Sequence, residues 1–190
     1  MAQAKSLTTA DIDKVLRYIA QNRNAERNKL MFLLTTLAGL RVSEVAQLTL
    51  ADVRNADGSI KCEIFLSAER VKHNHARTVF VNQRLQQELA QYIGTRTWIS
   101  SAQPLFTTLR GVTRAFTANT LTQHFHCLYR KAKVFGASSH SGRRTFLTAL
   151  AGQGISVFVL ASLAGHKNIS TTQRYVTVND DVKRRAVELA

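Results

Sequence analysis

Proline is nearly absent from this chain: Pro104 is the single one, and no glycine/serine-rich or low-complexity stretch offers a flexible linker in its place. Cysteine is equally scarce. Cys62 and Cys127 make no disulfide framework and fit a reducing compartment. No apolar run approaches the length needed to cross a bilayer, and "MAQAKSLTTADID" at the start lacks the apolar core and cleavage site of a secretory signal. Neither end carries a basic amphipathic anchor, so a cytoplasmic protein without a membrane partner is expected. No internal repeat argues for a solenoid. Negative charge is the last shortage: 12 Asp+Glu stand against 26 Lys+Arg, a formal net charge of +14. That excess points at a polyanion. What remains is one domain over residues 1–190, 45% hydrophobic and long enough to bury a single core.

The apolar pattern is mostly helical. Ile12, Val15, Leu16 and Ile19 mark an amphipathic helix capped by Thr8 or Thr9. "NKLMFLLTTLAGL" is apolar nearly all round, which predicts a central buried helix ending at Gly39. Ser43 is placed to cap the next helix, "SEVAQL", leaving Arg41 in the turn. After the turn "NADGS", Ile60, Cys62, Ile64 and Leu66 alternate with Lys61, Glu63 and Phe65 as a half-buried strand, and "RTVFV" is its partner. The polar connection "AERVKHNHA" between them carries Lys72. Four more helical patterns follow, among them a stripe of Leu121, Phe125, Leu128 and Ala132. A capping box with Ser170 at the N-cap and Gln173 at N3 predicts a short helix holding Tyr175 in its second turn. Residues 179–190 read as a tail helix. The sum is a mainly α domain with a small antiparallel β-sheet, an α+β fold.

Several polar residues invite a chemical reading, and each has an ordinary one. His140 and Arg143, three apart in "SSHSGRRTF", share a helix face, where two cations repel unless an anion lies between them. A solvated basic face is the plainer account. Arg41 could be a helix-end cation, Lys72 surface charge, His166 a helix cap and Tyr175 a core residue. A metal site is disfavoured: His124 and His126 are two apart on a helix and point to different sides. His73 and His75 have no carboxylate or cysteine near them in sequence.

Order and spacing raise these residues above their separate readings. "AGLRVSEV" with Arg41, "VKHNHARTVFV" with Lys72 five residues before Arg77, "HSGR" with His140 and Arg143, and "LAGHKNISTTQRY" with His166 and Tyr175 occur together across nearly the whole chain. In this the chain resembles the catalytic domain of the tyrosine site-specific recombinases, the phage-integrase family. The resemblance implies a DNA breaking-and-rejoining fold and a catalytic set of Arg41, Lys72, His140, Arg143, His166 and Tyr175. Tyr175 would be the nucleophile and Arg41 and Arg143 a phosphate clamp. His140 and His166 would donate hydrogen bonds to the phosphate, His140 also helping to take the tyrosine proton, and Lys72 would protonate the leaving 5′-oxygen. Glu44 stands where the family has a supporting acid.

The resemblance further implies double-stranded DNA as partner, a tetramer on paired sites, no metal or other cofactor, and a nucleoid-associated protein of a prokaryote or phage. The tail would dock on a neighbouring subunit. Two departures stand out: Gly142 where the family usually has Leu, expected to loosen the helix start relative to alanine, and Arg144 where it usually has His. The separate helical DNA-grasping domain that typical members carry before the catalytic one is not part of the pattern, which suits either a minimal member or a fragment. A non-catalytic DNA-binding regulator of the same fold and a type IB topoisomerase-like enzyme are the alternatives.

Overall fold

The computed structural model describes residues 4–70, 76–108, 114–176, 183–184 and 187–188. Helix α1 (Thr9–Ala20) begins where Thr8 accepts from the Asp11 N–H while the Asp11 carboxylate accepts from the Thr8 N–H, a capping box. Its buried stripe of Val15 and Ile19 rests on α2 (Ala25–Leu37), the central helix expected from its all-round apolar sequence. Leu30, Met31, Phe32, Leu33 and Leu34 of α2 are almost fully buried and sit at the heart of the core. Gly39, at φ +64°, turns the chain sharply after α2, and a Cβ there would collide with the Phe146 ring.

Short helices α3 (Val42–Ala46) and α4 (Leu50–Val53) lead to strand β1 (Glu63–Leu66), which pairs antiparallel with β2 (Arg77–Phe80) in the register Leu66↔Arg77 and Ile64↔Val79. The strand is shorter than the alternation predicts: Cys62 is exposed, and Ile60, though packed against the core, makes only an isolated bridge to Arg54, so Ile64 and Leu66 alone are the inward residues of the ladder. The cause is local. Asn55 to Ser59 forms a tight polar turn in which the Asp57 carboxylate accepts from Ser59, and the chain leaves it through the bridge before a ladder can start.

Helices α5 (Gln83–Gly94), α6 (Ala118–Lys131), α7 (Ser141–Gly152), α8 (Val157–Ala164) and α9 (Ile169–Gln173) complete the domain. The predicted α6 stripe is buried as expected, with Phe125 and Tyr129 meeting Phe32 of α2 edge-on or through one another. α7 packs closely on α2. At Gly142 a Cβ would lie 2.1 Å from Thr35 Oγ1 and 2.8 Å from Thr35 Cβ. The expected loosening by glycine is therefore outweighed: no side chain fits where these two helices meet. Of the tail, residues 183–184 and 187 are helical, 188 lies in a turn, and the remainder lies outside the described residues.

Candidate active site

The site begins with a correction at α3. Arg41, not Ser43, is the N-cap residue, and the Glu44 carboxylate at N3 accepts from its N–H at 2.7 Å. Capping thus aims Arg41 and Glu44 at each other. Arg41 Nη1 donates to Glu44 Oε1 at 2.7 Å, and Arg77 Nη2 donates to Glu44 Oε2 at 2.7 Å. Glu44 is 1% exposed. Burial pushes its carboxyl up, but the guanidiniums of Arg77 and Arg41 outweigh burial and hold it below the usual range.

One carboxylate cannot balance three buried or half-buried arginines, and the rest of the compensation is backbone. Helix α8 ends in a Schellman turn: Gly165 at φ +59° donates to Ser162 O and His166 N–H to Ala161 O. Its last free carbonyls, the negative end of the helix, receive the cations. Arg77 Nη1 donates to Leu163 O at 2.6 Å, and Arg143 Nη2 donates to Ala164 O. Arg41 Nη2 approaches the same oxygen at 3.5 Å, and Arg143 Nη1 donates to Gly39 O at 2.7 Å. Gly165 is required twice over, since a Cβ would also meet Arg77 Cδ at 2.5 Å. Burial, then Arg41 and Arg77, push Arg143 down to about 9, which leaves it charged at neutral pH.

His166 follows this turn. Its Nε2 lies 3.3 Å from Arg143 Nη2, and because a guanidinium only donates, Nε2 accepts. The ring proton therefore sits on Nδ1, which donates to Thr172 Oγ1 at 2.8 Å; Thr172 is fully buried in α9. Burial first, then Arg143, Arg41 and Arg77, push His166 down to about 4, so the imidazole is neutral. In this state it is an acceptor at the Arg143 edge, and donation to an incoming anion requires that edge to take up a proton.

Helix α9 departs from its predicted start. Asn168 caps it by accepting from the Ser170 N–H, so Ser170 stands inside the helix. Tyr175 consequently lies in the turn after the last helical residue, with its N–H donating to Thr172 O. Its ring stacks on His166 at 6.1 Å between centroids and 16° between planes. Arg41, His140, Arg143, Arg144, His166 and Tyr175 line one cleft of about 240 Å³. Arg41, His140 and His166 also border a larger open cleft of about 1120 Å³ beside it.

Five of the six residues named from the sequence thus converge, drawn from the start of α3, the start of α7 and the turns at either end of α9. Lys72 lies outside the described residues, as do His73 and His75. Of the other histidines, His124 is packed against Phe116 and Phe125 while His126 is exposed on another side of α6. Arg77 and Thr172 were not singled out as functional. Arg77 had a signal: it is in phase with inward-facing Val79 and Val81, and a cation on the buried face of a strand needs a buried partner.

A helical domain that gathers guanidiniums, imidazoles and one tyrosine around one cleft presents groups suited to holding an anion. The chain belongs to the phage integrase family, whose model matches residues 5–181. It is 30% identical over 187 residues to the tyrosine recombinase XerA of Pyrococcus furiosus and 28% identical over 193 residues to the tyrosine recombinase XerD of Rickettsia conorii. These matches take in 98% and 95% of this chain but only 62% of each relative. Its fold is that of the tyrosine recombinase catalytic domains. The Tn1549 transposon integrase, in complex with a circular intermediate DNA, superposes with a TM-score of 0.81 at 22% identity, covering 100% of this chain and 67% of that one. The catalytic domain of bacteriophage HP1 integrase superposes with a TM-score of 0.65 at 22% identity, covering 91% and 87%.

Proposed function

We propose that this protein is a site-specific DNA recombinase that cuts and rejoins duplex DNA through Tyr175. The observation that carries the reading is the single cleft in which Tyr175 meets Arg41, Arg143, His140 and His166. A scissile phosphate seated there would receive hydrogen bonds from guanidiniums already oriented by backbone carbonyls, so little reorganisation accompanies the build-up of negative charge. The Tyr175 hydroxyl oxygen attacks phosphorus and the phosphorus–5′-oxygen bond breaks. His140 helps take the phenol proton, and Lys72, in the role that family membership suggests, returns one to the 5′-oxygen. The 3′-phosphotyrosyl link conserves the bond energy, and attack by another strand's 5′-hydroxyl reverses the step without ATP. Neither step calls on a metal, because the arginines supply the charge.

Relatives caught on DNA, such as the Tn1549 integrase complex, support duplex DNA as the partner. Assembly as a tetramer on paired sites, with the tail at residues 179–190 docking on a neighbour, accords with the family, as does action in the cytoplasm on the nucleoid. Covalent trapping tests the reading. Incubated with nicked or supercoiled DNA carrying candidate sites and then denatured, the wild type should yield a protein–DNA adduct, and Tyr175→Phe should yield none. Salt-sensitive binding without an adduct would instead favour a regulator of the same fold.

A further inference from the structure

We infer that Arg144 is a positioning residue for Tyr175, holding the aromatic ring in the cleft from the α7 side. The guanidinium carbon lies 5.4 Å from the centroid of the Tyr175 ring, and both side chains line the 240 Å³ cleft. Among the described residues no carboxylate forms an ion pair with Arg144, so the electron-rich ring is the group its charge meets. The hold comes from a firmly placed element. α7 is pressed on α2 through Gly142, and the Thr145 hydroxyl accepts from the Leu7 N–H at 2.8 Å. Tyr175, by contrast, follows a helix of five residues, a length that does not stand alone, and its main-chain tie is one bond to Thr172 O. His166 also meets the ring, nearly parallel. A flat guanidinium suits an aromatic face better than an ammonium does, so this position asks for arginine specifically. Arg144 is half-buried and lies beside the clamp without belonging to it, which separates its role from that of Arg41 and Arg143.

The consequence for catalysis rests on the recombinase reading, and two measurements on the full chain separate the ideas. In the first, single-turnover cleavage of the nicked duplex used for trapping is followed for wild type, Arg144→Gln and Arg144→Lys. Arg144→Gln should slow cleavage at saturating DNA about two- to fivefold, the factor a contact of this kind supplies. The half-saturating DNA concentration should move less, and Arg144→Lys should recover part of the rate. The second needs no DNA: with 3-fluorotyrosine incorporated, the Tyr175 fluorine resonance, assigned by its loss in Tyr175→Phe, should move in Arg144→Gln toward its position in unfolded protein. A resonance that stays put overturns the hold on the ring. A resonance that moves while the saturating rate is unchanged overturns the role in the reaction. A wild type that forms no adduct overturns the recombinase reading, and the fluorine resonance then decides the hold by itself.

Discussion

Glu44 and His166 illustrate how single groups are tuned here by their surroundings. Glu44 is buried yet ionised because two guanidiniums touch it, and His166 is neutral because burial and three arginines oppose a further cation. His124 is likewise pushed down to about 4, by burial and then by Arg27. In the unfolded chain both histidines take up a proton near pH 6.5. Between about pH 6.5 and about pH 4 the unfolded state therefore binds more protons than the folded one, and stability must fall as the pH is lowered through that window. Glu44, whose folded value is depressed, adds its own loss as the pH falls below the ordinary carboxylate range. The melting temperature should decline steadily from pH 6.5 to 4, and His166→Asn should flatten the decline. A melting temperature constant over the window would contradict the burial of both imidazoles.

At the scale of elements, the site depends on two close approaches. α7 reaches α2 only because residue 142 has no side chain, and the α8 turn reaches Arg77 only because residue 165 has none. Gly142→Ala would ordinarily favour a helix. Here the added methyl meets Thr35 and forces the helices apart, a cost of about 1–3 kcal/mol of the kind overpacked cores show. Denaturant unfolding measures it, and a variant as stable as wild type would mean that the Thr35 side chain gives way freely. Because α7 also carries Arg143 and Arg144, the same variant should lose activity beyond its loss of stability.

For the molecule as a whole, the +14 charge sets the expected response to salt. Every phosphate neutralised releases counterions, so affinity for DNA should fall steeply with salt, by tenfold or more between about 50 and 200 mM if several phosphates are engaged. Filter binding or fluorescence anisotropy at fixed protein concentration tests this. Binding that barely changes over that range would remove the electrostatic account of DNA affinity. No helix among the described residues is long and apolar enough to cross a membrane.

Periodicity and residue order determined much of this protein. The apolar stripes of α1 and α6 set which of their faces are buried, since helical spacing alone decides what can share a face, and the all-round apolar α2 marked the centre of the core. Arg41, His140, Arg143, His166 and Tyr175, drawn together in the sequence by the resemblance to a family, line one cleft. Tertiary structure decided what lies between them. The caps at Arg41 and Asn168 are made by groups two or three residues on, whereas that Gly142 is a packing requirement depends on Thr35, far away in the chain. The same holds for the carbonyls of Leu163 and Ala164, which stand in for absent carboxylates. A backbone oxygen has no residue type, so its role could emerge only once α8 ended beside three arginines.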